Sequence, residues 1–276
     1  MFMAKSYNVS HFVAYLLILC GLASCSKIFE SREHCPAVVF TDFSEIGPEI
    51  ENLMMWLEDS EGNSYSAAVP KSEFGQLRDF YVAKGDIRCF VWGNVKSATI
   101  CSIESKMTPK ATLFKRDEVL CDSLYFFTKK RYVTTDTVVI KVHPNKQFAN
   151  IFLTVLEAGL YEEIKVTLNT PSRGFYYDGN IASGSSQTIA AVQGDRSRLR
   201  LLRQQDLQGI SLDFLYQYRG EKSSLNFDLS KYLIESKYDM NAIDMKDIYL
   251  TIDLVNMRVS LSIDGWNVVI DIGIEI

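Results

Sequence analysis

Residues 210–219 read ISLDFLYQYR, with apolar side chains at every second position and mostly polar ones between them. A period of two is that of a β-strand, and such alternation is typical of a sheet with one face buried and the other in water. The same alternation runs through residues 248–254, 259–263 and 266–276. The C-terminal part of the sequence therefore predicts half-buried β-strands.

Further short runs of β-forming residues precede these strands. They occupy residues 38–40, 53–57, 87–92, 138–142, 151–156 and 164–168. Turn signals such as Asp178-Gly179-Asn180 and Asp264-Gly265 separate the runs. Helix is scarce, the best candidates being residues 72–80 and residues 229–238, the latter with Ser230 as N-cap. Short, numerous strands with this turn spacing predict an all-β protein built from β-sandwiches.

The N-terminal segment has the layout of a secretory signal. Basic Lys5 precedes an apolar run over residues 12–22, which ends in Leu22-Ala23-Ser24-Cys25. The run is shorter than the roughly 20 apolar residues that a membrane span needs. The junction resembles the bacterial lipobox, in which the cysteine is acylated and several acyl chains hold the protein in a membrane. An ordinary signal peptide with an incidental cysteine is the alternative, but composition and order together favour a lipoprotein.

The length of 276 residues, less a 24-residue signal, exceeds what one sandwich usually needs, so we expect two modules. A polar stretch near residues 129–137 separates a cysteine-bearing half from the long strands. The predicted organisation is a signal peptide at 1–24, a lipidated tether at 25–34, an N-terminal sandwich at 35–133 and a C-terminal sandwich at 134–276.

The charge balance argues against nucleic acid as a partner. The net charge is −5, whereas a nucleic-acid surface needs clustered Lys and Arg in excess. The basic residues of the segment 196–203 alternate with leucines, which predicts a strand with one wet face.

Four cysteines remain after the lipobox. They are Cys35, Cys89, Cys101 and Cys121. Export places them in an oxidising compartment, where an even count predicts one or two disulfides whose connectivity stays open. Cys89 shares a strand face with Ile87 and Val91, so a free buried thiol is an equally good interpretation there. The spacing lacks the paired C-x-x-C pattern of zinc sites, and we expect no metal.

Catalytic motifs are scarce in this sequence. His34 and His143 are the only histidines outside the signal, and no nucleophile elbow, metalloprotease motif, P-loop or dinucleotide fingerprint occurs. We therefore expect that the protein is not an enzyme and that it binds no cofactor.

Two clusters of residues are candidate binding sites, and each also has a purely structural explanation. The acidic cluster Asp239, Asn241, Asp244 and Asp247 could hold calcium, but a solvated loop is favoured because the spacing differs from an EF-hand. Tyr176-Tyr177 could form an aromatic platform for a sugar, although a strand end packed on the core is favoured.

Two short segments carry a family resemblance. Cys35-Pro36 stands ten residues after the lipobox cysteine, and residues 92–94 read Trp92-Gly93-Asn94. These segments resemble specific segments of the FimB-type minor fimbrial subunits of Bacteroidales. Further matching segments follow in the family's order, at residues 53–57, 84–94, 122–126, 138–155 and 263–266. The sequence departs from the family at His34, where Asp is usual, and after Asn94, where it is shortened and holds Cys101.

The resemblance implies two transthyretin-like β-sandwich domains in tandem on a lipidated protein of the outer membrane. Its partners would be fimbrial shaft subunits assembled by donor-strand exchange, and outer-membrane lipid through acylated Cys25. The alternative function is that of a surface glycan-binding lipoprotein.

The last predicted strand is the candidate donor. It alternates to the end of the sequence, with one face formed by Val268, Ile270, Ile272, Ile274 and Ile276. Such a strand can add to the open sheet edge of a neighbour. The favoured alternative is that it closes its own sheet.

Overall fold

The computed structural model describes residues 35–103, 111–263 and 265–271, with the backbone alone at residues 101–103, 111 and 271. The first strands are β1 (Ala37–Asp42), β2 (Asn52–Glu58), β3 (Ser64–Pro70), β4 (Leu77–Val82), β5 (Gly85–Gly93), β6 (Thr99–Ile103), β7 (Ala111–Lys115), β8 (Tyr125–Val133), β9 (Thr137–Lys141) and β10 (Asn145–Lys146). The later strands are β11 (Phe148–Val155), β12 (Glu163–Tyr176), β13 (Ile181–Ala191), β14 (Arg196–Leu202), β15 (Ser211–Tyr218), β16 (Glu221–Asp228), β17 (Ile248–Asp253), β18 (Arg258–Ile263) and β19 (Trp266–Asp271). One short helix, α1 (Leu229–Glu235), and two 3-10 turns, Lys71–Glu73 and Ala158–Leu160, complete the described elements.

Two sheets form what we call the N-terminal sheet pair. Their strand orders are β4-β1-β9 and β10-β8-β5-β2-β3. Inward residues of both sheets, among them Val39, Met55 and Val91, share one buried apolar cluster. Alternating burial along β1 shows the half-buried pattern that produces such a layer.

Two further sheets form the C-terminal sheet pair. Their strand orders are β14-β11-β17-β18-β19 and β16-β15-β12-β7-β6, with β13 paired to β12. Residues such as Leu153, Leu212 and Leu250 join both sheets in the largest apolar cluster, which α1 covers through Leu229 and Leu233. The strands predicted from alternation are present as far as the structure describes them, the last one as residues 266–271, and the all-β sandwich prediction is confirmed.

A third apolar cluster lies on the outer face of β2 and β5. Trp92 is fully buried there, with its ring 4.9 Å from that of Phe175 in β12. Its indole N–H donates to the carbonyl of Tyr177 over 2.8 Å. This cluster therefore packs a sheet of the N-terminal pair against β12 of the C-terminal pair.

The predicted boundary between residues 133 and 134 does not separate the sheets. The β6–β7 hairpin precedes it, yet β7 pairs with β12 through Leu113 and Phe175. Conversely, β9 follows the boundary but pairs in parallel with β1. Both pairings join residues far apart in the chain, so local composition carries no signal for them.

Of the two predicted helices, the first is wrong and the second is present with a different N-cap. Residues 72–80 contain only a 3-10 turn, and β4 begins at Leu77 because its backbone pairs with β1. The second helix exists as α1, but its N-cap is Asp228, which accepts from the N–H of Lys231. The Ser230 hydroxyl instead accepts from the N–H of Ile210 over 2.7 Å.

Candidate functional site

The candidate donor strand lies at the edge of its own sheet. β19 pairs antiparallel with β18, from Ile263 opposite Trp266 to Arg258 opposite Asp271. Gly265 makes the connecting turn with φ +86°, a conformation that glycine adopts without strain. β19 is the last strand in the sheet order. Within the described residues its outer edge is therefore open to another strand.

The side chains of β19 divide between its two faces. Trp266, Val268 and Ile270 are half-buried against the C-terminal core. Val269 points the other way and is 67% exposed. The favoured alternative, a strand that completes its own sheet, agrees with this pairing. The candidate donor residues Ile272, Ile274 and Ile276 lie outside the described residues, as do the lipid-anchor candidate Cys25 and His34.

The structure leaves the described cysteines unpaired with one another. Cys35, Cys89 and Cys121 are free thiols. The one or two disulfides predicted among Cys35, Cys89, Cys101 and Cys121 are therefore not present among the described side chains, and the Cys101 side chain lies outside them. Cys89 is buried in the N-terminal core and Cys121 in the third cluster. Burial raises the pKa of each thiol to about 12, because the thiolate would lose its hydration. Their separation into two cores explains why they do not meet.

The acidic cluster uses its carboxylates within the fold. The Asp244 carboxylate accepts from the N–H of Lys146 over 2.8 Å, and Asp247 accepts from the Lys146 ammonium over 2.5 Å and from the N–H of Asn150 over 2.9 Å. Burial opposes ionisation of Asp247, but the hydrogen bonds from Lys146 and Asn150 hold its pKa below the ordinary value. Across the described residues, no group of three or more His, Cys, Asp or Glu side chains could hold a metal.

The Tyr176-Tyr177 pair does not form a platform. Tyr177 packs edge-on against Phe90, 5.3 Å between ring centres, and its hydroxyl donates to Glu58 over 2.5 Å. Burial and the Glu58 carboxylate raise the pKa of Tyr177. Tyr176 is 43% exposed. The favoured interpretation of a strand end packed on the core therefore fits Tyr177.

A stacked aromatic pair of half-buried Phe152 and exposed Tyr249 lies elsewhere, and the sequence analysis did not predict it. The parallel register of β11 and β17 places Phe152 beside Tyr249, and the rings stack 5.2 Å apart at 18°. Tyr249 is 53% exposed. Each ring stands between two buried aliphatic residues of its own strand, so each occupies a position that faces solvent. The sequence signal that could have predicted this pair is an aromatic residue at a solvent-facing position of an alternating run.

Trp92-Gly93-Asn94, the most specific matching segment, has a structural role. Asn94 is buried with φ +59°. Its side-chain oxygen accepts from the N–H of Glu51 over 2.8 Å, and its amide donates to the carbonyl of Glu49 over 3.0 Å. These bonds tie the chain before β2 to the end of β5.

Among the residues that the structure describes, none of the helices has the length and apolar character to cross a membrane.

Comparison with known proteins rests on structure. No family model matches the sequence, and no curated protein matches it. A candidate adhesin from Bacteroides thetaiotaomicron superposes with a TM-score of 0.60 at 12% identity, covering 85% of this chain and 98% of that one. The fimbrial anchor protein Mfa2 from Porphyromonas gingivalis gives 0.56 at 14% identity, covering 84% and 99%.

A third similar structure is a candidate polysaccharide-binding protein from Bacteroides thetaiotaomicron. Its TM-score is 0.59 at 9% identity, and the match covers 86% of this chain and 98% of that one. At such identities the likeness establishes a shared fold. The shared fold extends over nearly the whole length of each of the three proteins.

Proposed function

We propose that this protein is an exported, lipid-anchored subunit that anchors or terminates a surface fimbria at the outer membrane. The observation that carries the proposal is the Leu22-Ala23-Ser24-Cys25 junction in front of a chain with this fold. The fold is shared with a fimbrial anchor protein and a candidate adhesin. Acyl chains on Cys25 would then hold the sandwich at the membrane, and fimbrial shaft subunits would be its partners.

The proposed role needs a surface that another subunit can join. The open edge of β19 supports one, because an unpaired strand edge offers backbone donors and acceptors for a further strand. Donor-strand exchange through the C-terminal strand, and a division into two sandwich domains, are parts of this proposal. Such a subunit needs no catalytic group, and we expect no hydrolase activity.

The experiment compares a deletion strain complemented with the wild-type gene or with Cys25→Ala. Fractionation should find the wild-type protein in the outer membrane and the variant in the soluble fraction, because the acyl chains supply the attachment. Electron microscopy should show fimbriae that are absent, abnormally long or shed when the anchored protein is missing. Cys121→Ala serves as the matched control, since that thiol lies in the third cluster.

Two results would contradict the proposal. A Cys25→Ala variant that stays in the membrane would contradict the lipid attachment. Fimbriae of normal number, length and attachment in the deletion strain would contradict the anchoring role.

A further inference from the structure

An open groove of about 740 Å³ lies beside β14 on the C-terminal sheet pair. The stacked pair Phe152 and Tyr249 contributes to its lining, together with Thr154 of β11 and Arg196 and Arg198 of β14. The groove uses none of the cysteines, and β19 does not line it. It is therefore separate from the features that support the anchoring proposal.

The rings of Phe152 and Tyr249 lie on the face of their strands that points away from the core. Core packing on these strands is supplied by their inward residues, including Leu153 and Leu250, which are fully buried. Solvent-facing rings expose apolar surface that gains from being covered by a ligand with an apolar face. The C–H face of a pyranose ring is such a surface, and its hydroxyl groups can stay in contact with water and polar side chains.

The position of Arg198 is set by its neighbours. Its Nε and Nη2 donate to the side-chain oxygen of Asn150 over 3.0 and 2.6 Å, and the guanidinium lies 5.6 Å from the centre of the Phe152 ring. Asn150 is itself held through its amide by Asp247, at 3.1 Å. A neutral amide therefore orients Arg198, and the guanidinium makes no direct ion pair with that carboxylate.

The charged side chains that line the groove are those of Arg196 and Arg198. Arg196 is exposed and lies 3.7 Å from the exposed carboxylate of Asp195. None of the described residues that line the groove is acidic, although the whole chain carries a net charge of −5. A guanidinium donates through a planar fork that fits a carboxylate or sulfate. Charge and shape together call for an anionic ligand that also has an apolar face.

We propose that this groove binds an acidic saccharide, with a sugar ring against Tyr249 and its anionic group near Arg196 and Arg198. Thr154 and Gln193, which also line the groove, offer hydroxyl and amide groups to the sugar hydroxyls. The open shape suits a segment of a longer chain better than an enclosed small molecule. Nucleic acid fits less well, because its recognition needs a longer basic track than two arginines.

The test measures binding of defined probes to the purified full-length protein in detergent by isothermal titration calorimetry. The acidic probes are oligogalacturonate and a sulfated carrageenan oligosaccharide, which separate a carboxylate ligand from a sulfate ligand. Methyl-esterified oligogalacturonate is the neutral match, and a single-stranded oligonucleotide is the competing class. Binding of at least one acidic saccharide is expected, weakened about tenfold or more when the charge is removed.

Two groove variants are compared with matched surface controls. Tyr249→Ala and Arg196→Gln should each weaken binding about tenfold, as loss of a stacking surface or a charge-assisted hydrogen bond does. Tyr81→Ala and Arg88→Gln remove an exposed tyrosine and an exposed arginine outside the groove and should leave affinity unchanged. Thermal unfolding checks that all four variants are folded.

The proposal is overturned if the wild-type protein binds neither acidic probe, or binds the neutral probe equally well. Unchanged affinity in both groove variants would also overturn it. Tighter binding of the oligonucleotide would assign the groove to nucleic acid instead. Each of these results concerns the groove alone, so it is distinguishable from failure of the membrane-anchoring experiment.

Discussion

Asn94 shows how a segment matched by sequence can serve the fold. Its positive φ lies in the left-handed region, which asparagine tolerates better than most residues. Its amide also donates to the Ser123 hydroxyl over 3.2 Å, in a segment that precedes β8. One side chain thus joins three parts of the chain. This role accounts for an asparagine at the position without requiring a ligand.

Asp59 is a buried carboxylate that stabilises a turn. It is 6% exposed and accepts from the N–H groups of Glu61, Asn63 and Ala83 over 2.9–3.1 Å. Burial alone would raise its pKa, but the hydrogen bonds from Asn63, Ala83 and Glu61 outweigh burial and lower the pKa below the ordinary 3.8. The ionised form is therefore favoured by folding.

This carboxylate predicts a pH-dependent stability difference. Asp59→Asn should lower the free energy of unfolding by about 2 kcal/mol at pH 7, because hydrogen bonds to a charged acceptor are lost. Since the folded pKa is the lower one, the difference is full above about pH 5 and shrinks as the pH falls through the folded-state pKa. Urea denaturation at pH 7 and pH 3 measures it. Asp86→Asn, at an exposed carboxylate, is the control, and an equal difference at both pH values would contradict the assignment.

The thiols predict a labelling order. In a Cys101→Ser background, a maleimide at pH 8 should label half-buried Cys35 in the native protein. Cys89 and Cys121 should react only after denaturation, because burial blocks access and raises each pKa to about 12. Mass spectrometry of labelled peptides reads out the order. A disulfide recovered between any two of these three cysteines would contradict their assignment as free thiols.

At the scale of elements, the β6–β7 hairpin depends on a glycine of the strand that it joins. Gly174 in β12 has φ +143°, and a Cβ there would lie 2.1 Å from the carbonyl oxygen of Leu113 in β7. A backbone atom cannot give way as a flexible side chain can. The contact between β7 and β12 therefore requires glycine at this position.

Gly174→Ala should accordingly loosen the hairpin. We expect a loss of about 2–4 kcal/mol in the free energy of unfolding, from backbone strain and the displaced strand. Urea denaturation measures the loss. Gly159→Ala is the control, since a Cβ there meets nothing within 4 Å. Equal stability of the two variants would mean that β7 does not lie against β12 as described.

The terminal strand permits a test of its two faces. Val268→Asp should destabilise the protein by about 2 kcal/mol, because the side chain packs against the C-terminal core. Val269→Asp should change stability little, since Val269 is exposed. Urea denaturation of both variants measures this. If both remain as stable as the wild type, β19 does not close its own sheet, and donation to a neighbour becomes the favoured interpretation.

At the scale of the whole molecule, all described strands lie in one compact unit, Pro36–Ile276. The third cluster contributes to this unity, because Trp56, Phe90 and Trp92 from β2 and β5 contact residues of the C-terminal half. The N-terminal five-stranded sheet is thus covered on both faces. Its residue patterns reflect that, since β5 is buried at every position from Cys89 to Gly93.

The sequence by itself determined the all-β class, most strands and the inward face of each, because alternation with period two records burial residue by residue. It also carried the lipobox-like junction, a local motif. The tertiary structure decided that residues 77–82 form a strand. It also decided that β7 pairs with β12 and β9 with β1, across the predicted boundary, and that Cys89 and Cys121 lie in different clusters. It alone brought Phe152, Tyr249 and Arg198 together. These features depend on pairing between distant segments, where the gain comes from contacts that no local window of sequence contains.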